Sequence, residues 1–370
     1  MRYLVFLSLF ALALYAASAV TAEDIYKIYK TKGINAVEDF LKKEFEPKEV
    51  KAVAVKEVKK EKEVVVKEPT VKLGQKLFVK PRTPTEKEGV SRDHWLKHLK
   101  GVDVSYGYYQ DVESLIVCEK EKKRCEIFHI EEDGLKLVRE HEDVIMGKSG
   151  DKVKRGDLKT PVGVYEITKR FKPTNQFYGP LAFSLSYPNL FDVLRSKSGD
   201  GIWIHGKPLD GKDRDDLSKG CVVMENDAIL SLDTEINAQS AVVIIGESKV
   251  PKMTREQVAS ILSEVYKWQR AWRVSDTNAY LNFYSNDFKK SDGSGKVQFS
   301  NMKKQIFSRK ENKMILFENM SISPYPTTDD RKLFKISFYQ TYKSPSFSSK
   351  GDKELYIELV GDKMQVLAEK

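Results

Sequence analysis

The sequence predicts a multi-domain α+β protein: a helical N-terminal segment, a mostly β middle that carries the chemistry, and a C-terminal α+β domain. Three observations predict it. Apolar residues recur at helical spacing near both ends of the chain, from Ile25 to Leu41 and from Val258 to Trp272. Short apolar runs between Gly, Asp and Pro fill the stretch from about 111 to 248. Strand-like alternation then returns behind the second helical pattern. At 370 residues the chain exceeds one average domain, and its 41% hydrophobic content suffices for packed cores.

Residues 1–22 read as a secretory signal peptide. Met1-Arg2 precedes an uncharged apolar run from Tyr3 to Ala22, with Ala17-Ser18-Ala19 and Val20-Thr21-Ala22 as cleavage candidates. The run is also long enough for an uncleaved inner-membrane anchor, and both readings place the rest of the chain outside the cytoplasm. Residues 23–110 form an N-terminal helical region whose stripe of Ile25, Ile28, Tyr29, Val37, Phe40 and Leu41 needs a partner. Within it, residues 46–88 are dominated by Lys, Glu and Val. The whole stretch 46–88 reads as a flexible insertion, and its charge-rich part from Lys56 to Lys67 lacks the apolar surface to fold. Trp95, Leu96, Leu99, Tyr106, Tyr108 and Tyr109 mark the return to foldable composition.

Residues 111–250 carry the strands. Leu115 to Val117, Glu126 to Ile130, Val162 to Ile167, Ile202 to Ile204, Cys221 to Met224 and Ala241 to Ile245 alternate or run apolar. Cys118 and Cys125 flank a charged turn and read as a hairpin pair, a candidate disulfide in an oxidising compartment. Pairing them leaves Cys221 as the odd thiol of three. Residues 251–370 begin with a helix that Thr254 and Gln257 can cap, its apolar face running through Val258, Ile261, Leu262, Val265, Trp268 and Trp272. A second helical segment is expected through Tyr280, Leu281, Tyr284 and Phe288, followed by alternating strands at Lys335 to Tyr342 and Leu355 to Leu359. Trp268, Trp272, Tyr280 and Tyr284 are read as core before ligand cage.

The 63 basic and 54 acidic residues leave a net charge of +9, with no basic helix interleaved with aromatics, so nucleic acid is not an expected partner. Gly147-Lys148-Ser149 imitates a phosphate loop, but the required earlier glycine falls on Glu142. His94 and His98 share a helix face without the glutamate of a zinc protease or a third ligand. The acidic loop Asp210 to Asp216 lacks the Gly and distal Glu of a calcium loop. No metal and no cofactor are expected.

The chemistry concentrates at His205 and Cys221, sixteen positions apart. A thiol is mostly protonated at neutral pH, so nucleophilic attack needs a neighbour that takes the proton. Histidine, with an ordinary pKa of roughly 6.5, does this best. The strand Ile202-Trp203-Ile204 would hold the imidazole still. Gly220 would let the chain turn so that backbone N–H groups near Cys221 face an oxyanion.

His205-Gly206, a polar loop, then Ser218-Lys219-Gly220-Cys221 entering an apolar run, resembles the signature of the L,D-transpeptidase (YkuD) family, cysteine enzymes that act on peptidoglycan stem peptides. Gly156-Asp157-Leu158-Lys159-Thr160-Pro161-Val162-Gly163 is similar to the Thr-Pro-Xaa-Gly strand entry of that fold. Lys219 and Val223 stand where the family usually has His and Arg. Together with Asn175 to Phe183 and Tyr187 to Leu190, that departure resembles the cell-shape-determining L,D-carboxypeptidases of curved and helical Gram-negative bacteria.

The resemblance implies a mostly β catalytic domain over 111–250 and a nuclear-transport-factor-2-like domain over 251–370. It implies Cys221 as nucleophile, His205 as base and the Gly206 carbonyl as the group orienting the imidazole. Substrate contacts are expected from Tyr178, Trp203, Arg214, Ser218, Lys219 and Gly220, with Lys219 or Arg214 facing a carboxylate. The implied setting is the periplasm, with peptidoglycan stem peptides as partner and a homodimer formed through the N-terminal helices. A glycan or protein ligand of the C-terminal domain is the sharper reading of its pocket. Hydrolysis to a tripeptide stem, crosslinking by a second stem's amine, and an inactive wall-binding scaffold are the three functional readings.

Overall fold

The computed structural model describes residues 83–211, 217–329 and 331–370. The leader, the stripe from Ile25 to Leu41 and the Lys/Glu stretch to residue 82 lie outside the described residues. Thr85 and Glu88 form a capping box at α1 (Glu86–Gly89), and the Ser91 hydroxyl accepts from the His94 N–H at the start of α2 (Arg92–His98). Helix α1 begins inside the stretch 46–88 that read as a flexible insertion. Trp95 accounts for it: the indole is buried, donates Nε1–H to Gly89 O at 2.7 Å and stacks on Tyr266. His94 and His98 meet the edges of the same ring.

After β1 (Tyr108–Tyr109) come β2 (Ser114–Glu119), β3 (Arg124–Glu131) and β4 (Gly134–His141). Cys118 sits opposite Cys125 in the β2–β3 hairpin, and the two form a disulfide. Then follow β5 (Gly163–Phe171), β6 (Ala182–Leu185), α3 (Leu190–Leu194), β7 (Trp203–His205), β8 (Val222–Val223), α4 (Asn226–Glu235) and β9 (Ala241–Gly246). These strands form an eight-stranded sheet in the order β4-β3-β2-β9-β5-β6-β7-β8. β2 and β9 pair in parallel at its centre and are buried along their whole lengths, which is why both read as unbroken apolar runs. Strand β4 is largely exposed, and beyond Leu135 and Leu137 its sequence carries no apolar alternation, so it did not read as a strand.

The C-terminal part begins with α5 (Arg255–Arg273), closed by the expected Thr254–Gln257 capping box, then α6 (Thr277–Leu281) and β10 (Tyr284–Lys290). The expected second helix is therefore cut short at Leu281. Tyr284 and Phe288 lie in a strand, where a spacing of four also keeps two side chains on one face. Pairing of Tyr284 with Val366 decides the matter. Helix α7 (Lys296–Phe307) and strands β11 (Met314–Tyr325), β12 (Leu333–Lys343), β13 (Ser348–Val360) and β14 (Lys363–Glu369) complete it. The sheet order is β1-β11-β12-β13-β14-β10.

Trp268, Trp272, Tyr280 and Tyr284 fill the space between helices and sheet, as core. Trp268 alone, fully buried, contributes an upper bound of about 4–6 kcal/mol of apolar transfer. Its Nε1–H donates to the Tyr284 hydroxyl at 3.1 Å, which lies 2.7 Å from the Glu369 carboxylate. Each buried polar atom in this row therefore keeps a partner.

The two sheets share a core. β1 pairs with β11, so the segment ahead of the first sheet completes the second. Phe191 of α3 stacks on Tyr356 of β13 at 5.0 Å, and Asn189 Nδ2–H donates to the Tyr325 hydroxyl at 3.0 Å. Lys335, almost wholly buried, bridges Glu166 of β5 and Glu354 of β13. An interface built of stacked rings and a buried cation resists the hinge motion that two loosely linked domains would show.

Candidate active site

β7 and β8 form the edge of the eight-stranded sheet and run parallel, with Ile204 opposite Val222 and His205 opposite Val223. Register partners in parallel strands point to the same face, and so do residues two apart on one strand. Cys221, immediately ahead of β8 and two residues before Val223, is thus delivered to the end of the strand pair that carries His205. Met224 N–H on His205 O at 2.9 Å and a Val223–Ile145 bridge with bonds of 2.8 and 2.9 Å extend the pairing past the short strands.

The turn that delivers Cys221 is built from its own side chains. Ser218 Oγ–H donates to Cys221 O at 2.6 Å and accepts from the Gly220 N–H at 3.1 Å, while Ser218 N–H donates to Met146 O at 2.9 Å. Gly220 has φ +127°, and a Cβ there would stand 2.9 Å from Lys159 O. Both conformation and space demand glycine. Cys221 is partly exposed, lies outside the disulfide, and places Sγ 3.7 Å from Gly201 O.

The loop ahead of β5 backs this turn. Thr160, fully buried, accepts from the Gly147 N–H at 2.8 Å and reaches Cys221 O at 3.5 Å. Asp157 knots the loop: burial alone would raise its carboxyl, but Lys152 at 2.8 Å and the N–H groups of Val153, Lys154 and Lys159 hold it well below the usual range. Asp151 accepts from the Val162 N–H at 2.9 Å and pairs with Lys197, which also holds buried Asp192.

His205 is fully buried, and Nδ1 lies 2.7 Å from Gly206 O. A carbonyl only accepts, so Nδ1 carries the proton, and in the neutral ring Nε2 is then the basic nitrogen. Tyr178, in a short turn at Gln176–Tyr178, meets the imidazole edge-on at 5.1 Å. Trp203 lies between Tyr178 and Phe171, each 5.0 Å away. This row of rings lines the approach to the histidine and limits its rotation.

The structure thus brings together Cys221, His205, Gly206, Tyr178, Trp203, Ser218, Lys219 and Gly220. Lys219 is exposed in the turn ahead of Cys221, whereas Ser218 and Gly220 are buried and belong to the turn, not to an exposed binding surface. Arg214 lies outside the described residues. Thr160, Asp157 and the Asp151–Lys197–Asp192 chain were not assigned roles from sequence, although Thr160 and Asp157 sit within the block Gly156 to Gly163 that carries the resemblance.

Comparison with known families and structures agrees with this geometry. Residues 113–245 match the L,D-transpeptidase catalytic domain, and residues 260–370 match a C-terminal NTF2-like domain. The chain is 38% identical to the helical cell shape determining protein Pgp2 from Campylobacter jejuni, at TM-score 0.73, covering 76% of this chain and 100% of that one. A variant of the same protein gives TM-score 0.74 over 78% of this chain. Bd1075 from Bdellovibrio bacteriovorus is 27% identical at TM-score 0.58, over 73% of this chain and 96% of that one. A search of curated proteins finds no match. Two sheets, a cysteine and histidine at one sheet edge, and a likeness over about three quarters of this chain lead to one conclusion: the chain belongs to the L,D-transpeptidase (YkuD) family, with an NTF2-like domain at its C-terminus.

Proposed function

We propose that the protein is a peptidoglycan L,D-carboxypeptidase that trims tetrapeptide stems to tripeptides and so influences cell shape. The observation that carries the reading is the pairing of β7 with β8, which sets Cys221 two residues before the register partner of His205, together with the 2.7 Å contact of His205 Nδ1 with Gly206 O. The likeness to a helical cell shape determining protein supports the cellular role. Among the described residues no helix is long and apolar enough to cross a membrane. Export through the apolar run Tyr3 to Ala22, action in the periplasm, and pairing of two copies through the N-terminal stripe belong to the same proposal.

His205 Nε2 takes the Cys221 proton, and the thiolate attacks the carbonyl of the third stem residue. The developing oxyanion is held by backbone N–H groups near Cys221. The imidazolium returns its proton to the departing D-alanine amine, leaving a thioester. Water, deprotonated by His205, cleaves the thioester, releases the tripeptide acid and restores the thiol. Lys219, with Arg214 as the other candidate, faces the substrate carboxylate, and Tyr178 and Trp203 flank the stem.

Incubation with defined tetrapeptide muropeptides followed by mass analysis tests the reading. Loss of one alanine, absent in Cys221→Ala, is expected. Crosslinked dimers would make the protein a transpeptidase instead, and no change beyond that of Cys221→Ala would make it a scaffold.

A further inference from the structure

Gly206 and Gly179 close on a third group, the side-chain amide of Asn226 at the start of α4. A Cβ on Gly206 would stand 2.4 Å from Asn226 Oδ1 and 2.8 Å from Pro180 Cδ. One on Gly179 would stand 2.6 Å from Gly206 Cα and 2.9 Å from Asn226 Oδ1, and Gly179 has φ +73°. The amide therefore fills the wedge between two backbone segments that approach too closely for any side chain. Asn226 Oδ1 is buried there and has no hydrogen-bond partner among the described residues. An unpaired buried acceptor costs about 1–3 kcal/mol, so this one is retained against a stability cost. Helix capping does not explain it, because Asn226 lies one position inside α4, after the N-cap.

We infer that Asn226 is a positioning residue whose amide, wedged against Gly179 and Gly206, keeps the Gly206 carbonyl aimed at His205 Nδ1. The inference rests on the catalytic reading of His205 and Gly206 given above. One short segment then sets both halves of the site: it carries Cys221, holds His205 through the Met224 N–H at 2.9 Å, and holds Gly206 through Asn226. Bulk alone is not enough: the amide oxygen directed at the glycine Cα supplies weak Cα–H···O contacts that keep the peptide from rotating, and an apolar side chain of the same size does not. If it turns, the imidazole loses the partner that selects its tautomer, and the base nitrogen leaves the line to the sulfur. Misplacement on the order of 1 Å at a reacting group can cost about 100-fold in rate.

The test uses Asn226→Leu, similar in size but without the amide, and Asn226→Asp, which keeps the shape and adds charge. Two quantities are read in the full chain: kcat and KM on a tetrapeptide muropeptide, and the His205 tautomer and titration by nitrogen NMR, tractable with five histidines in all. Asn226→Leu is expected to lower kcat about 10- to 100-fold with KM little changed, and to lose the uniform Nδ1–H signature. Asn226→Asp is expected to keep that signature and to raise the His205 pKa, since a nearby carboxylate favours the imidazolium. Wild-type kcat together with an unchanged Nδ1–H signal in Asn226→Leu would overturn the assignment. Should that variant not fold, Asn226→Ala reads the same two quantities. If the wild type fails to hydrolyse muropeptides, the functional reading falls separately, and the tautomer comparison, which needs no substrate, still decides the role of Asn226.

Discussion

Replacing Lys197 with Met removes the cation from a buried carboxylate that lies against the seam between the two sheets. Lys197 Nζ is 2.8 Å from Asp192 Oδ1 and 2.5 Å from Asp151 Oδ2, and the Asp192 side chain is fully buried. It also accepts from the Tyr165 hydroxyl at 3.1 Å, the Asn189 N–H at 3.2 Å and the Tyr325 hydroxyl at 3.5 Å, all neutral. Burial raises the Asp192 carboxyl, Lys197 opposes it, and the balance lies above the ordinary value. Removing one partner of such a pair costs about 3–5 kcal/mol, a fifth or more of a typical folding stability of roughly 5–15 kcal/mol. In a unit of this size each kcal/mol lowers Tm by about 2–4 °C.

The pH dependence supplies a second check with a definite sign. Because the folded-state pKa of Asp192 is raised, the native state binds this proton more tightly than the unfolded chain, so the group's contribution to stability improves as pH falls through the folded pKa. Loss of Lys197 raises that pKa further. Urea unfolding at about pH 8 and about pH 5 should therefore show a deficit that shrinks on acidification, and adding Asp192→Asn should recover part of it. A deficit below about 1 kcal/mol at the higher pH, or one that grows toward acid, refutes the account of a buried, charge-dependent seam.

Gly206→Ala should lower kcat by about 100-fold or more, because the new Cβ would stand 2.4 Å from Asn226 Oδ1 and force the peptide that orients His205 to move; steady-state kinetics at full thermal stability would show the opposite if the wedge yields freely. Tyr325→Phe removes the hydroxyl that accepts from Asn189 Nδ2–H at 3.0 Å and should cost about 1–3 kcal/mol by denaturant unfolding, since it leaves a buried amide short of a partner. Cys118→Ser with Cys125→Ser opens a loop of seven residues' separation and should cost about 2–3 kcal/mol on the chain-entropy account, again by unfolding. Iodoacetamide under non-reducing conditions should label Cys221 in preference to the other two cysteines, and peptide mapping that finds all three labelled equally removes the argument for a reactive thiol beside a disulfide.

The α+β layout, the strand-rich middle and the cap of α5 were legible because each depends on local chemistry. Thr254 and Gln257 satisfy orphan helix N–H groups within one turn, and two-sided burial writes β2 and β9 as unbroken apolar runs. Strand β4 was not legible, because an exposed strand leaves no pattern to read. Helix and strand were confused at Tyr284 and Phe288, because a spacing of four satisfies both periodicities and only pairing with β14 separates them.

At the site, the sequence by itself determined which atoms can react. Thiol, imidazole and the glycines around them are properties of residue type and short spacing, and the family blocks are local. Only the tertiary structure decided where those atoms stand: that the pairing of β7 with β8 brings His205 and the segment carrying Cys221 to one sheet edge, that Thr160 and Ser218 are absorbed by the turn, and that Asn226 closes on Gly206. The physical reason is that strand register and interatomic clearance arise between segments far apart in the chain, where no local pattern records the distance.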